Sequence, residues 1–277
     1  MDAIETMGKQ SVIQHGKHND RIYLMKLSRE DMPEILDQLN KKSQDEGYSK
    51  IFAKVPEDQK EAFIENGFKI EAKVPKMLKG KEDIYFLGKY LKSWRREDKD
   101  NTLEEVIQSS LSKKDKFVNV VLDRDFTMRK LEKKDCKEMA EVYRVVFETY
   151  PFPIHDYKYL QQTMEENFVY FGVYKNNELV GISSCEMDEK DSNVEMTDFA
   201  TLPEYRGNKI ALYLLNIMEV EMKKRNIKTA YTIARGVSFG MNITFAKMGY
   251  DYTGSLIKNT NIAGKFETMN VWYKSLS

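Results

Sequence analysis

Residues 195–211, EMTDFATLPEYRGNKIA, constrain this chain more tightly than any other stretch. Glu195, Thr197, Phe199 and Thr201 alternate with Met196, Asp198 and Ala200, the period-2 signature of a strand. Pro203 lacks the N–H that a ladder needs, so the strand ends there. Beyond the turn, Leu212, Leu215, Met218 and Met222 recur at helical spacing, opposite Glu219, Lys223 and Lys224. A helix start presents backbone N–H groups without partners and the positive end of the macrodipole, so a turn feeding into it binds anions. Arg206 and Lys209 add side-chain charge to that turn, a combination that grips a pyrophosphate. The stretch lacks both the P-loop pattern of nucleoside triphosphate enzymes and the triple-glycine dinucleotide fingerprint.

The hexapeptide Arg206-Gly207-Asn208-Lys209-Ile210-Ala211 resembles the acetyl-CoA loop of the GNAT acetyltransferase superfamily, with Lys209 replacing the usual internal glycine. Residues 229–233 read as a short strand and 238–248 as a helix carrying Asn242, stopped by Gly249-Tyr250. That segment resembles the superfamily's second CoA-contacting helix, with Phe245 where a tyrosine is usual. Upstream, 126–130 reads as a strand, Asp135 as the cap of a helix running to 147, and 169–174 and 179–187 as a hairpin across Asn176-Asn177. The resemblance covers 126–274 and implies an α/β (α+β) acyl-CoA fold with a mixed central sheet. It also implies acetyl-CoA as cosubstrate, held by Phe199, Ala200, Thr201, Arg206, Gly207, Asn208, Lys209, Ile210, Ala211, Asn242 and Phe245.

The front of the chain carries its own pattern: strand 21–26, helix 32–46, strand 50–55, helix 59–66, then strands near 69–74 and 84–90. Phe63-Ile64-Glu65-Asn66-Gly67-Phe68 parallels Phe245-Ala246-Lys247-Met248-Gly249-Tyr250. The expectation is a degenerate half-GNAT-like β-α-β-α-β-β domain over 1–92, a charged linker and helix over 93–124, and a catalytic domain over 125–277. An unrelated β-α-β-α-β-β unit would show the same stops, so the repeat and that reading stand side by side. The first copy's turn, Leu27-Ser28-Arg29-Glu30-Asp31, has two acids and no glycine and would repel pyrophosphate. Structural support, a homodimer contact or a wall of the substrate pocket are the roles left to it. Residues 94–100 read as a solvated linker and 103–111 as a short helix.

Composition excludes more than it assigns. Lys and Arg total 44 against 44 Asp and Glu, so no net field recruits nucleic acid or anionic lipid. The acidic opening without an apolar run predicts no signal peptide, no membrane span and a cytoplasmic protein. Cys136 and Cys185 read as buried reduced thiols, and His15 and His18 lack the neighbours that zinc requires, so no metal is expected.

Acyl transfer to an amine requires the amine to be neutral. An ε-ammonium of pKa about 10.4 is deprotonated in roughly one molecule in 2,500 at pH 7, a deficit of about 4.6 kcal/mol. Glu195 is the first candidate for the base, at a position resembling the catalytic glutamate of the superfamily's histone-modifying branch, with water relays and a plain surface glutamate as alternatives. Asp198 is the second candidate, on the other strand face unless a bulge turns it inward. Phe245 removes the usual acid, but a thiol of pKa about 8.5 leaves readily as thiolate.

A closer resemblance, spanning nearly the full chain, is to the β-lysine N-acetyltransferase family. It is carried by residues 13–23 and 48–56, Tyr150-Pro151-Phe152-Pro153, Tyr231-Thr232-Ile233-Ala234-Arg235 and residues 269–274. That family acetylates the ε-amine of L-β-lysine, the product of a lysine 2,3-aminomutase, to make the compatible solute N6-acetyl-β-lysine. Such a substrate needs one cationic clamp and at least one acid. Arg235 is the expected carboxylate partner, Glu148, Asp198 or Glu267 the partner of the β-ammonium, and Tyr150, Phe152 and Trp272 the lining of the methylene chain. Each has a structural alternative as a salt bridge, core or loop residue. An acetyltransferase for another amine, such as a polyamine, and a non-catalytic acyl-CoA sensor are the rival readings.

Overall fold

The computed structural model describes residues 2–116 and 121–276. The front unit runs β1 (Ala3–Met7), β2 (Ser11–Gly16), β3 (Arg21–Lys26), α1 (Glu34–Asp45), β4 (Lys50–Pro56), α2 (Lys60–Glu65), β5 (Lys69–Leu78) and β6 (Glu82–Tyr90). Its six strands form one mixed sheet in the order β1-β2-β3-β4-β6-β5. After α3 (Thr102–Leu111) come β7 (Phe126–Lys130), α4 (Cys136–Val146), α5 (Tyr157–Glu166), β8 (Phe168–Lys175), β9 (Glu178–Asp188) and β10 (Asn193–Thr201). The chain ends with α6 (Ile210–Lys224), β11 (Thr229–Arg235), α7 (Phe239–Lys247), β12 (Asp251–Ile262) and β13 (Lys265–Ser275). These strands form a second mixed sheet, β12-β13-β11-β10-β9-β8-β7. No described helix is long and apolar enough to cross a membrane.

The two sheets repeat one topology. β1 through β6 correspond in order and direction to β8 through β13, with β3 and β4 parallel in one sheet, β10 and β11 parallel in the other, and all remaining neighbours antiparallel. The local chemistry repeats as well. Phe63 and Phe68 meet edge-on at 5.1 Å and Phe245 and Tyr250 at 5.0 Å, each pair bracketing a helix stop. Gly67 and Gly249 close those stops at φ of 86° and 80°, conformations that suit glycine. The front copy is larger than the sequence pattern predicts, because β1 and β2 precede the expected first strand. Its counterpart of the phosphate turn is closed by Asp31, whose carboxylate accepts from the backbone N–H groups of Lys9, Gln10 and Ser11.

The sheets dock against one another. Tyr23, Phe52 and Phe86 pack with Tyr231, Leu256 and Val271 in a shared core. At Gly254 the backbones of β12 and β5 approach so closely that a Cβ would lie 2.0 Å from the Glu71 carbonyl oxygen. The β12–β13 register breaks between Leu256 and Thr260, which takes the intervening carbonyls out of the ladder. Three buried cations of the front half satisfy them in sequence. Lys50 Nζ donates to Ile257 O at 2.8 Å, Arg95 Nε to Lys258 O at 2.8 Å, and Arg21 to Asn259 O. Arg95 therefore departs from the expected solvated linker. Its guanidinium is fully buried and also donates to Ser49 Oγ and Asn19 O. Charge density alone hid this, because the partners, two carbonyls and the Ser49 hydroxyl, are far away in sequence.

Candidate active site

β10 and β11 pair only from Asn193↔Thr229 to Glu195↔Tyr231 and then part, opening a gap between their C-terminal ends. The gap leads to the basic turn. α6 starts without a side-chain cap, so its first N–H groups face outward beside exposed Arg206, Gly207, Asn208 and Lys209. Lys209 adopts the left-handed conformation, φ 61°, so the turn keeps a glycine-like shape without the glycine. Gly181 lets α6 close on β9, since a Cβ there would lie 2.5 Å from Ile210 Cγ2. Sequence patterning gave that glycine no role.

A bulge interrupts β10. Thr197 pairs Ser184 and Ala200 pairs Ile182, so Asp198 and Phe199 together face Ser183. Asp198 has φ 53°, and its carboxylate is turned inward. It accepts from Ser184 Oγ at 2.6 Å and from the Tyr150 hydroxyl at 2.5 Å. Burial raises the Asp198 carboxyl above the usual carboxylate range against the pull of those hydroxyls. Tyr150 thus meets one of the two candidate acids, whereas Phe152 packs half-buried against the core beside it.

Glu195 occupies the last paired position before the strands separate. Burial, then the neighbouring Glu186, pushes its carboxyl up to about 7, opposed by Lys54 and the Tyr231 hydroxyl. Glu186 lies directly across the ladder on β9, and burial raises its carboxyl too. Lys54 reaches in from β4 of the front sheet, with Nζ 5.6 Å from the Tyr23 ring centroid and 6.0 Å from that of Tyr231. Glu186, Tyr231 and Lys54 line a cleft of about 1070 Å³ between the sheets. Sequence analysis missed both Glu186 and Lys54. The one available signal was an isolated charge within an otherwise apolar run, Ile51-Phe52-Ala53-Lys54-Val55.

The other expected site residues divide between the core, the exposed end of β11 and the gap itself. Asn242 is fully buried, donating to Arg235 O and Ser238 O and accepting from Asn270 Nδ2 and Trp272 Nε1. Its amide joins α7 to β11 and β13. Trp272 is equally buried, in the core of the last strand. Arg235 and Glu267 form a bidentate pair with each other at 2.8 and 2.6 Å at the exposed end of β11, and Glu148 is exposed. Phe245 is buried, edge-on to half-buried Phe199 at 5.6 Å. Ala200 is buried, Thr201 is half-buried, and Ile210 and Ala211 begin α6. No cluster of three or more His, Cys, Asp or Glu suited to a metal occurs among the described residues.

The sheet that splays beside a bulge and the uncapped basic helix start at its gap lie within residues 136–250, which match the model of the Acetyltransferase (GNAT) family, and the chain is an acetyltransferase of that class. The chain is 41% identical over 264 residues to the beta-lysine N(6)-acetyltransferase of Methanococcus maripaludis, spanning 95% of this chain and 96% of that one, and it belongs to that family. It is also 31% identical to the N-acetyltransferase YodP of Bacillus subtilis over the full length of both chains. Among solved structures, the ribosomal-protein-S18-alanine N-acetyltransferase of Escherichia coli superposes with a TM-score of 0.49 at 14% identity, covering 55% of this chain and 94% of that one.

Proposed function

We propose that this enzyme transfers the acetyl group of acetyl-CoA to the N6 amine of L-β-lysine, in the cytoplasm, yielding N6-acetyl-β-lysine. The observation that carries this reading is the convergence of three carboxylates, Glu186, Glu195 and Asp198, and one ammonium, Lys54, where β10 and β11 part. A substrate with two ammonium groups and one carboxylate presents charges opposite in sign to that set.

Acetyl-CoA fits the residues around the gap. The uncapped start of α6 with Arg206, Asn208 and Lys209 would hold its pyrophosphate, and the backbone of Phe199, Ala200 and Thr201 its pantetheine arm. When bound, it supplies a thioester carbonyl for attack and a CoA thiolate as leaving group. Glu195 takes the proton from the substrate's N6 ammonium, for which a carboxyl pushed up to about 7 is better matched than an ordinary one. Asp198, fixed by Tyr150 and Ser184, holds negative potential beside the bulge that favours a cation there. Backbone N–H groups released from the ladder at Asp198 and Phe199 are the donors for charge developing on the carbonyl oxygen. Phe245 offers no proton, and a leaving group of pKa about 8.5 needs none at neutral pH.

The test is CoA thiol release with L-β-lysine, α-lysine, ornithine and spermidine. A kcat/KM for β-lysine at least tenfold above the rest is expected. Preference for spermidine would retain the enzyme class and overturn the substrate, and thermal stabilisation by acetyl-CoA without turnover would point to a sensor.

A further inference from the structure

Lys54 is out of place as a surface lysine. In β4, Ile51, Phe52, Ala53 and Val55 are buried in apolar cores and Lys50 is tied to Glu71 and Ile257 O. Lys54 instead leaves the front sheet towards the second one and ends between the rings of Tyr23 and Tyr231, on the wall of the interdomain cleft. Burial works against its charge, but Tyr23, Glu195 and Glu186 outweigh that and hold the ammonium protonated. Its partners are thus the carboxylates that the proposed reaction reserves for substrate ammonium groups. When those ammonium groups enter, the acids gain new counterions and Lys54 is released to accept one of its own. Arg235 cannot fill that part. It stands four residues beyond Tyr231, roughly 13 Å along an extended strand, and is already paired with Glu267.

We infer that Lys54, supplied by the non-catalytic front unit, binds the carboxylate of the amino-acid substrate, while Glu186 holds its β-ammonium. The front sheet then determines selection of a diamino acid over a diamine. This assignment rests on the proposed substrate and adds to it a recognition residue from outside the catalytic unit.

The experiment compares wild type, Lys54→Met and Lys54→Arg on L-β-lysine and on 1,4-diaminopentane, which is β-lysine without its carboxyl group. Lys54→Met keeps the length and apolar stem of the side chain, and a melting curve for each variant establishes folding. At pH 9, above the range in which Glu195 takes up its proton, losing a charge-assisted contact predicts a KM for β-lysine raised about 10- to 100-fold, with kcat within about threefold. The kcat/KM for 1,4-diaminopentane, or its inhibition constant against β-lysine, should change less than threefold, and Lys54→Arg should recover part of the β-lysine affinity. Equal losses on both compounds, or no loss on β-lysine, would overturn the assignment while leaving the proposed reaction intact. A wild-type enzyme inactive on β-lysine would overturn both.

Discussion

Replacing Glu195 by glutamine removes a proton acceptor while keeping the side chain's shape. The magnitude follows from its surroundings. A carboxyl at the ordinary 4.5 lies about 5.9 pH units below an ammonium of about 10.4, so transfer to it is uphill by about 8 kcal/mol. At about 7 the gap narrows to between about 3 and 4 units, or roughly 5 kcal/mol. Burial and Glu186, outweighing Lys54 and the Tyr231 hydroxyl, thus make the transfer less uphill by about 3 kcal/mol, on the order of a hundredfold. Glu195→Gln should therefore reduce kcat by about 100- to 1,000-fold and leave the KM for the amine within threefold. The carboxyl acts only when ionised, so wild-type kcat/KM should fall as pH drops through about 7, over and above the ionisation of the substrate. That inflection should vanish in Glu195→Gln. In Glu186→Gln it should move to lower pH, because a repelling neighbour is gone. Thiol release recorded from pH 5.5 to 9 measures all three. A Glu195→Gln enzyme that keeps more than a third of kcat, or keeps the inflection near neutrality, would refute the assignment.

Four further outcomes follow from particular contacts. Gly181→Ala places a Cβ against Ile210 and displaces the start of α6, so acetyl-CoA affinity by calorimetry should weaken about tenfold while the melting midpoint moves little; unchanged affinity would count against the phosphate role of that turn. Asn242→Ala leaves the Trp272 indole N–H and the Asn270 amide without their acceptor in the core, and urea unfolding should register a loss of about 2–4 kcal/mol, with a loss below 1 contradicting the clamp. Burial of Asp31 opposes its charge, but donors from Lys9, Gln10 and Ser11 outweigh it and hold the carboxyl down to about 2. Its contribution is complete above the ordinary carboxyl range and is lost as pH falls towards 2, so Asp31→Asn should lower stability clearly at pH 6 and progressively less below pH 4. Arg235→Ala removes an ion pair whose arginine is 46% exposed, and both stability and the KM for β-lysine should stay near wild type, within about 1 kcal/mol and threefold.

Much of this fold was legible because its signals are local. The alternation of residues 195–201, the glycine stops at Gly67 and Gly249 and the apolar face of α6 each state their structure within a dozen residues. The bulge at Asp198 was legible only as an option, since strand period alone sends Asp198 to the wrong face. β1 escaped because four of its five residues are exposed and it carries no apolar face to read. Site chemistry was harder still. Asn242, Trp272 and Arg235 are residue types that suit ligands, yet their partners at Asn270, Asn242 and Glu267 claim them. Conversely, Glu186 and Lys54 come beside Glu195 only through register and docking. One sits across a ladder from Glu195, and the other crosses from a second sheet more than a hundred residues away. Separation in sequence likewise concealed Arg95, which donates to residues 19, 49 and 258, at 76, 46 and 163 residues away.

The central claim is that the acetyl group goes to one particular nitrogen of β-lysine. Incubating the enzyme with L-β-lysine and acetyl-CoA labelled with carbon-13 at the carbonyl, then recording long-range proton–carbon NMR correlations, locates the new amide directly. A single product whose labelled carbonyl couples through nitrogen to the C6 methylene protons is predicted. Coupling to the C3 methine proton, or no labelled amide at all, would contradict the account.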